Sequence, residues 1–560
     1  MLDHITFIFY LYIFLFSTIG YGIKFSNLIS IRLDNLNLGW YGIIGFFLVS
    51  FISVVTSFFF AHNYLHNLVI HFAGLSFFLI NFFNNKKKNY FKTLLFLSFF
   101  LLIGAYVFKN HDDFSYYHLT YSLNLSENSF IVGTGNFSHG FRTFSSLFYY
   151  HSTLYMPYVE YFLFHIGPFY ILIFFNFIIF HKLILKFEQN YSKSTYYFSL
   201  ISLIFVNVVF YRLSEHGTDR SAQILLILIF LLFIEVLKTN NRKIILTNIA
   251  LLTVLISLAA TMKAIYYLYF LLLPILFYKK KLFSEIFKKN NIILIILISL
   301  NIFLNLSIYY LNTGCFLYPA EKTCIIKQDW SIPKEEVKIM STHYEWWAKA
   351  GGGPNYSHEL KKEEYIKNFF WLENWIDKYF FNKVSDTLLG VIFMCLIVYL
   401  TFFSFRLKKN SKKKQNYFLV YSILFLFLLE WFLNHPSLRY GGYVLFGLPM
   451  IIFTSSIIEK FRLNKETVYK LSILFICISL IIFNGRNLIR INKEIYTYSY
   501  NPFESPFFFV EKVNSKIITQ NENIKIYIPN KSCWASKTPC SYNDNIKLNN
   551  FLWMDMVSRK

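Results

Sequence analysis

Charged side chains are scarce in this chain. Lys, Arg, Asp and Glu make up 15% of its 560 residues, where a soluble chain carries about a quarter. That shortage excludes an ordinary water-soluble globule of this length. The signatures of two large enzyme classes are also missing. There is no G-x-S-x-G elbow and no Walker loop, so neither a serine hydrolase nor an ATPase finds support. No segment repeats, and no low-complexity linker divides the chain. The start, Met1-Leu2-Asp3-His4, lacks a basic n-region. The first apolar run is therefore expected to be a retained helix and not a removed signal.

In place of charge there are long apolar runs, and hydrophobic residues make up 55% of the chain. Fourteen runs are candidates to span a bilayer, near 5–23, 41–60, 67–83, 91–108, 168–187, 195–211, 221–237, 244–260, 264–278, 291–311, 387–405, 417–433, 442–459 and 470–486. The fold class expected is an all-α polytopic membrane protein with about fourteen transmembrane helices and a small α/β tail. The net charge of +23 would suit nucleic acid, but Lys and Arg gather in short loops between apolar runs. Examples are Lys86-Lys87-Lys88, Lys279-Lys280-Lys281 and the stretch from Arg406 to Lys414. The positive-inside rule explains that pattern, so no nucleic-acid partner is expected. With fourteen spans, all the basic loops share one face, the cytoplasmic one. Both termini then face outside.

This topology divides the chain into N-terminal helices 1–90, a core 91–311 with a first outer loop 109–167, a large outer loop 312–386, C-terminal helices 387–486 and an outer tail 487–560. In the first loop, Phe144 to Tyr155 and Tyr158 to Ile166 are too broken to span and read as helices lying in the membrane interface. In the tail, Ile524-Lys525-Ile526-Tyr527-Ile528 alternates as a strand does. Of six cysteines, Cys395 and Cys477 fall in apolar runs and read as small hydrophobes. Cys315 pairs with Cys324 and Cys533 with Cys540 if the outer side is oxidising, with Cα separations of about 4.4–6.8 Å. Neither pair has zinc-like spacing, and no metal is expected.

The chemistry-bearing residues fall at the outer ends of apolar runs. His111-Asp112-Asp113 follows the run ending at Phe108, with Phe114-Ser115-Tyr116-Tyr117-His118 behind it. A carboxylate there can accept a proton from an attacking hydroxyl; the plain alternative is a solvated helix cap. Gly133-Thr134-Gly135-Asn136-Phe137-Ser138-His139-Gly140-Phe141-Arg142 follows. Its glycines permit tight turns near a ligand, and His139 and Arg142 are candidates to contact phosphate or sugar. Arg439-Tyr440 meets the run beginning at Tyr443, where a guanidinium suits a lipid phosphate. Lys263 sits alone in a tight outer turn, against the positive-inside pattern. Glu215-His216 with Asp219-Arg220 reads first as a self-satisfied surface ion cluster, with substrate binding as a second role. Trp330, Trp346, Trp347, Trp371 and Trp375 in the large loop suit either sugar stacking or interfacial anchoring.

A helix ending in an acidic pair, an outer loop with interfacial helices and many further helices together resemble the GT-C class of membrane glycosyltransferases. That class uses polyprenyl-phosphate-linked donors on the outer face. The resemblance implies that Asp112 or Asp113 is the catalytic acid of the first loop, and Arg439-Tyr440 is similar to a basic-aromatic pair at the mouth of a late helix. A more specific resemblance, to a family of bacterial multi-pass proteins, is carried by Asp113-Phe114-Ser115-Tyr116-Tyr117-His118-Leu119, Gly135 to Arg142, Gly314-Cys315-Phe316-Leu317-Tyr318-Pro319, and Cys533-Trp534 with Pro539-Cys540.

The function implied is transfer of a sugar from a polyprenyl-phosphate donor to an envelope glycan or lipid acceptor, at a bacterial inner membrane. Asp112 or Asp113 would be the base. His111, His118, His139, Arg142, Lys263, Arg439 and Tyr440 would hold substrate or phosphate. No cofactor is required, though a divalent cation is compatible; membrane lipid is the other partner. Two rivals stand beside it. An O-antigen ligase or polymerase type would rely on His343 or His358. A lipid-linked-glycan transporter or flippase would carry ionisable groups at mid-membrane and an internal repeat.

Overall fold

Each of the fourteen apolar runs is helical over most of its described length. The computed structural model describes residues 2–29, 36–84, 88–107, 113–185, 193–215, 217–286, 289–325, 327–352, 360–404, 408–409, 417–521 and 524–560. His111, Asp112, His216 and His358 lie outside the described residues, as do Lys86, Lys87, Arg406 and Lys412 to Lys414.

The first helices are α1 (Leu2–Leu28), α2 (Leu38–Ser57), α3 (Tyr64–Asn84) and α4 (Lys88–Leu101). Two short outer helices follow, α5 (Leu119–Glu127) and α6 (Ser146–Ser152). The centre of the chain holds α7 (Gly167–Phe180), α8 (Lys193–Val209), α9 (Thr218–Lys238), α10 (Arg242–Met262), α11 (Leu272–Lys280), α12 (Phe283–Ile286) and α13 (Lys289–Thr313). The large loop carries α14 (Lys334–Lys349), α15 (Lys362–Tyr365) and α16 (Trp371–Trp375). The last set is α17 (Ser385–Ser404), α18 (Phe418–Asn434), α19 (Gly442–Ile458) and α20 (Lys465–Tyr498).

Among the described residues, nine helical stretches are long and apolar enough to cross a membrane, and four further apolar helices are shorter. The run expected at 264–278 is split into a 3-10 segment, Ala264–Leu271, and α11. Pro274 accounts for the restart, because proline lacks an N–H and fits the first turn of a helix.

Helices α7 and α9 are the middle of the bundle, buried along nearly their whole length. Helices α1, α2 and α3 meet through small residues. A Cβ added to Gly45 of α2 would stand 1.7 Å from the Thr18 carbonyl oxygen of α1, so the two backbones touch where no side chain fits. The periphery is apolar and uncovered: Phe72 of α3, Phe303 of α13, Phe393 of α17 and Ile489 of α20 are all exposed.

Basic residues mark one end. Lys182 pairs with Glu235, Lys280 Nζ donates to the carbonyls of Leu237 at 3.0 Å and Thr239 at 2.8 Å, and Arg242 reaches the Lys280 carbonyl at 3.1 Å. A two-residue ladder, β1 (Lys408–Lys409) against β2 (Phe461–Arg462), closes the same end. The other end carries the long loops and the tail.

Two expectations about those loops need correction. Phe144 to Tyr155 does not lie in an interface: it is almost wholly buried, with Tyr150 stacked at 3.9 Å on Phe46 and hydrogen-bonded at 2.8 Å to Thr18. Tyr158 to Ile166 forms turns rather than a helix. The first packs against α1 and α2; in the second, His165 lies 6.4 Å from Phe7 of α1 and Phe162 lies 4.8 Å from Phe507. The tail is also simpler than α/β. Helix α20 runs on to Tyr498, and among the described residues beyond it there are two antiparallel hairpins and no helix: β3 (Ser515–Gln520) with β4 (Lys525–Pro529), and β5 (Ile546–Phe551) with β6 (Met554–Arg559). The segments are too short and too rich in turn residues to bury an amphipathic helix of their own.

Both expected disulfides are present, Cys315–Cys324 and Cys533–Cys540. The second has Cα atoms 6.1 Å apart. The first, at 3.8 Å, falls below the expected range; its cysteines also face one another in an antiparallel bridge.

Candidate functional site

The four sequence blocks of the long loops and the tail form one unit. The tail docks on the segment that follows Asp113: Trp534 N donates to the Ser115 carbonyl at 3.0 Å, Thr120 Oγ1 donates to the Trp534 carbonyl at 3.0 Å, and Tyr542 Oη donates to the Tyr116 carbonyl at 3.1 Å. Tyr542 N reaches the Phe137 carbonyl at 3.0 Å. Arg142 ties the glycine block to the large loop. Its Nε donates to the Gly135 carbonyl at 2.9 Å, Nη1 to Tyr318 at 3.1 Å and Nη2 to Glu336 at 2.6 Å. Glu336 also pairs with Arg559 of β6. The Cys533–Cys540 loop thus braces the turn that opens at Asp113.

That turn, Phe114–His118, is a π-helical step leading into α5. Above it, two helix ends contribute charges of the sign their dipoles favour. Asp219 lies in the first turn of α9, and Lys263 caps the C-terminus of α10. Arg439 comes from a 3-10 turn, Leu438–Tyr440, between α18 and α19. Gly441 ends that turn with φ +101°, a conformation that costs glycine nothing. Three side chains fix the turn. Gln223, one helical turn beyond Asp219, donates to the Leu438 and Arg439 carbonyls at 3.2 Å each. Tyr379 Oη accepts from Leu438 N at 2.8 Å, and Trp431 Nε1 donates to the Ser437 carbonyl at 2.9 Å.

These elements bring Asp113, Asp219, Lys263 and Arg439 into one cluster. Arg439 Nε donates to Asp219 Oδ2 at 2.6 Å, and its Nη2 lies 3.4 Å from Asp113 Oδ2. Lys263 Nζ pairs with Asp219 Oδ1. Aromatic faces wall the cations: Tyr440 lies 4.3 Å from Lys263 Nζ, and Trp347 lies 5.0 Å from the Arg439 guanidinium carbon. Exposure grades across the cluster. The Asp219 side chain is 8% exposed, Lys263 20%, Arg439 28% and Asp113 31%. Asp219 is thus the buried hub, and Asp113 is the carboxylate most open to solvent.

The protonation pattern follows from burial. Burial, then the neighbouring Arg439 charge, pulls the Lys263 ammonium well below its usual pKa, and Asp113 opposes them. Burial also works against the Arg439 charge, but Tyr440 and Asp113 outweigh it and hold its pKa above the usual value. Tyr117 is kept protonated by burial and by the Asp113 carboxylate. A phosphate arriving here would restore the preference of Lys263 for its charged form.

The other sequence candidates take different places. His139 is exposed on the 3-10 turn His139–Arg142, with its ring 5.1 Å from Tyr116. Burial and Arg142 lower its pKa while Asp113 raises it, so it borders the cluster. His118 turns away into a cavity lined by His151, His165, Ser214 and Glu215. His343 sits on α14 beside Lys362, 3.2 Å away. Asp219 is the residue that sequence reasoning placed wrongly, as part of a surface cluster. Its signal was the pair of outer cations, Lys263 and Arg439, which require a buried counter-charge. Glu215, from the same stretch, instead pairs with Arg212 and Arg490.

No curated protein and no solved structure matches the chain. A family model described as Domain of unknown function (DUF8201) matches residues 4–446, a span that takes in Asp113, Asp219, Lys263 and Arg439. The chain belongs to that family.

Proposed function

We propose that the chain is a multi-pass glycosyltransferase of the GT-C type, which moves a sugar from a polyprenyl-phosphate donor to an envelope acceptor at the outer face of a bacterial inner membrane. The observation that carries this reading is the Asp113–Arg439–Asp219–Lys263 cluster, set at the ends of apolar helices with its most exposed carboxylate beside its cations. The uncovered apolar periphery supports a lipid surrounding, since a protein in water rarely leaves such continuous faces bare. The basic end would then be cytoplasmic and both termini outside.

In this reading the acceptor hydroxyl attacks the anomeric carbon, and the bond from that carbon to the phosphate oxygen breaks. Asp113 takes the hydroxyl proton. The phosphate leaves with its electron pair and is held by Arg439 and Lys263. Fixed donors of this kind are worth about 3–4 kcal/mol each in a transition state. Asp219 keeps the Arg439 and Lys263 side chains aimed. Trp347 and Tyr440 offer faces on which a sugar ring can stack. The placement of the charges at helix ends, and not mid-helix, favours an enzyme over a transporter. The test is mass spectrometry of envelope glycans from cells lacking the chain. Loss of one sugar from a defined glycan is expected; an unchanged glycan profile would contradict the reading.

A further inference from the structure

A second group of arginines lies at the same end of the bundle, and the reaction above does not use it. Arg490 of α20 is its anchor. It is 5% exposed and pairs with Glu215 at 2.9 Å and Glu494 at 3.3 Å, while its Nη2 reaches the Tyr106 carbonyl at 2.6 Å. Glu215 is shared with Arg212, whose side chain is 40% exposed. Arg220, in the first turn of α9, faces the Tyr443 ring at 5.7 Å. Its Nη1 is buried and has no hydrogen-bond partner among the described residues; burial and the Arg212 charge work against the guanidinium charge, while Tyr443 and Glu215 support it. Arg486, one turn before Arg490, stacks at 3.9 Å over Tyr211 and donates to the Val208 carbonyl.

The charges here do not balance. Among the described residues four arginines face two glutamates; Arg490 and Arg212 pair with them directly, and Glu215 acts on Arg220 only through space. Arg220 and Arg486 make no ion pair among the described residues. A buried guanidinium nitrogen without an acceptor is costly, and such sites are completed by an anion or by water. The surroundings choose between those. Arg486 is exposed on α20, and Ile482 and Ile489, four and three positions away on the same helix face, are exposed as well. An arginine framed by bare apolar side chains, with the Tyr211 ring beneath it, is placed at the level of lipid headgroups.

We propose that Arg212, Arg220 and Arg486 form a lipid-phosphate site on the rim of the bundle, separate from the Asp113–Arg439 cluster. The phosphate would accept from the planar guanidinium groups, a geometry that arginine matches better than lysine, while the acyl or prenyl chain lies along α20. Asp219 and Arg220 are neighbours on α9, so the site shares a helix turn with the cluster. The proposal rests on the membrane reading given above.

The test is native mass spectrometry of the purified full chain in detergent, offered a long-chain polyprenyl monophosphate, phosphatidylglycerol, or diacylglycerol, which has no phosphate. The wild type should retain a phosphate-bearing lipid at least about tenfold better than diacylglycerol, and Arg212→Gln/Arg486→Gln should lose that preference. Arg486→Lys should lose only part of it, and all of these chains should melt within a few degrees of the wild type. The loss should be the same when Arg439→Gln is also present, which separates this site from the first. Retention of both phosphate lipids assigns headgroup chemistry in general, and retention of the polyprenyl lipid alone assigns the carrier; both support the site. Equal retention by wild type and double variant would overturn it. Should the chain fail to stay with the membrane fraction after an alkaline wash, the membrane reading itself falls; a chain that stays there but shows no lipid preference sinks this site alone.

Discussion

Arg439 Nη2 lies 3.4 Å from Asp113 Oδ2, across 326 positions of sequence. The same guanidinium is held more closely by Asp219, at 2.6 Å. This inequality separates two roles. The carboxylate that is buried and tightly paired sets the geometry, and the one that is looser and more exposed is the one that the proposed reaction assigns as base.

Asp219→Asn should therefore destabilise the fold, and Asp113→Asn should not. Removing one partner from a buried ion pair costs about 3–5 kcal/mol. The value here should be at the lower end, because Lys263 and Arg439 keep some contact with solvent. A partly exposed, long ion contact such as Asp113–Arg439 contributes about 0–1 kcal/mol. Thermal unfolding in detergent should show a clear fall in Tm for the first variant and almost none for the second. Equal shifts would remove the distinction between hub and base.

Arg142 and Arg439 should separate in the opposite sense. Arg142 is engaged by Gly135, Tyr318 and Glu336, so Arg142→Ala leaves buried acceptors unpaired, at about 1–3 kcal/mol each. Its effect should appear as lowered Tm and lowered yield. Arg439→Ala should lose donor binding and rate together. A purified, stable Arg142→Ala chain that has lost donor binding alone would return Arg142 to the phosphate site.

Alkylation of the denatured chain and intact-mass analysis should find two free thiols without reductant, Cys395 and Cys477, and six after reduction. Replacing Cys533 and Cys540 by Ser should speed amide exchange in 115–120, because the loop they close carries Trp534 onto Ser115 and Thr120. Unchanged exchange there would mean that the tail docks without its disulfide.

Acid should weaken the outer layer. Burial, then the neighbouring His66, pushes His62 down to about 3, and burial pushes His165 down to about 4. In each case the unfolded chain binds the proton first, so stability rises with pH between the folded value and the unfolded value of about 6.5. Lowering pH from 6.5 to 4 should thus lower Tm, and His62→Gln should flatten part of that slope. A Tm that is constant over this range would contradict the buried neutral imidazoles.

The helices were legible because the apolar runs are long and bounded by basic loops, and Lys263 and Arg439 were legible as lone cations at outer boundaries. What sequence could not place was what depends on distant partners. Asp219 reads as a surface residue until Lys263, 44 positions away, and Arg439, 220 positions away, are brought to it. Tyr150 reads as interfacial because its aromatic run is too broken to span, yet α1 and α2 offer it a buried slot. Strand alternation at Ile524–Ile528 was visible, but not that the tail would serve as a brace for the turn at Asp113.

The account turns on Asp113, and complementation tests it most directly. Cells lacking the chain would be supplied with wild type or Asp113→Asn at equal membrane levels, and the sugar content of the envelope glycan measured by mass spectrometry. Asparagine keeps the size and removes the basic oxygen, and loss of general-base help costs about 10²–10⁴ in rate. Wild type should restore the missing sugar and Asp113→Asn should leave it missing. Full restoration by Asp113→Asn would show that Asp113 is structural and would contradict the account.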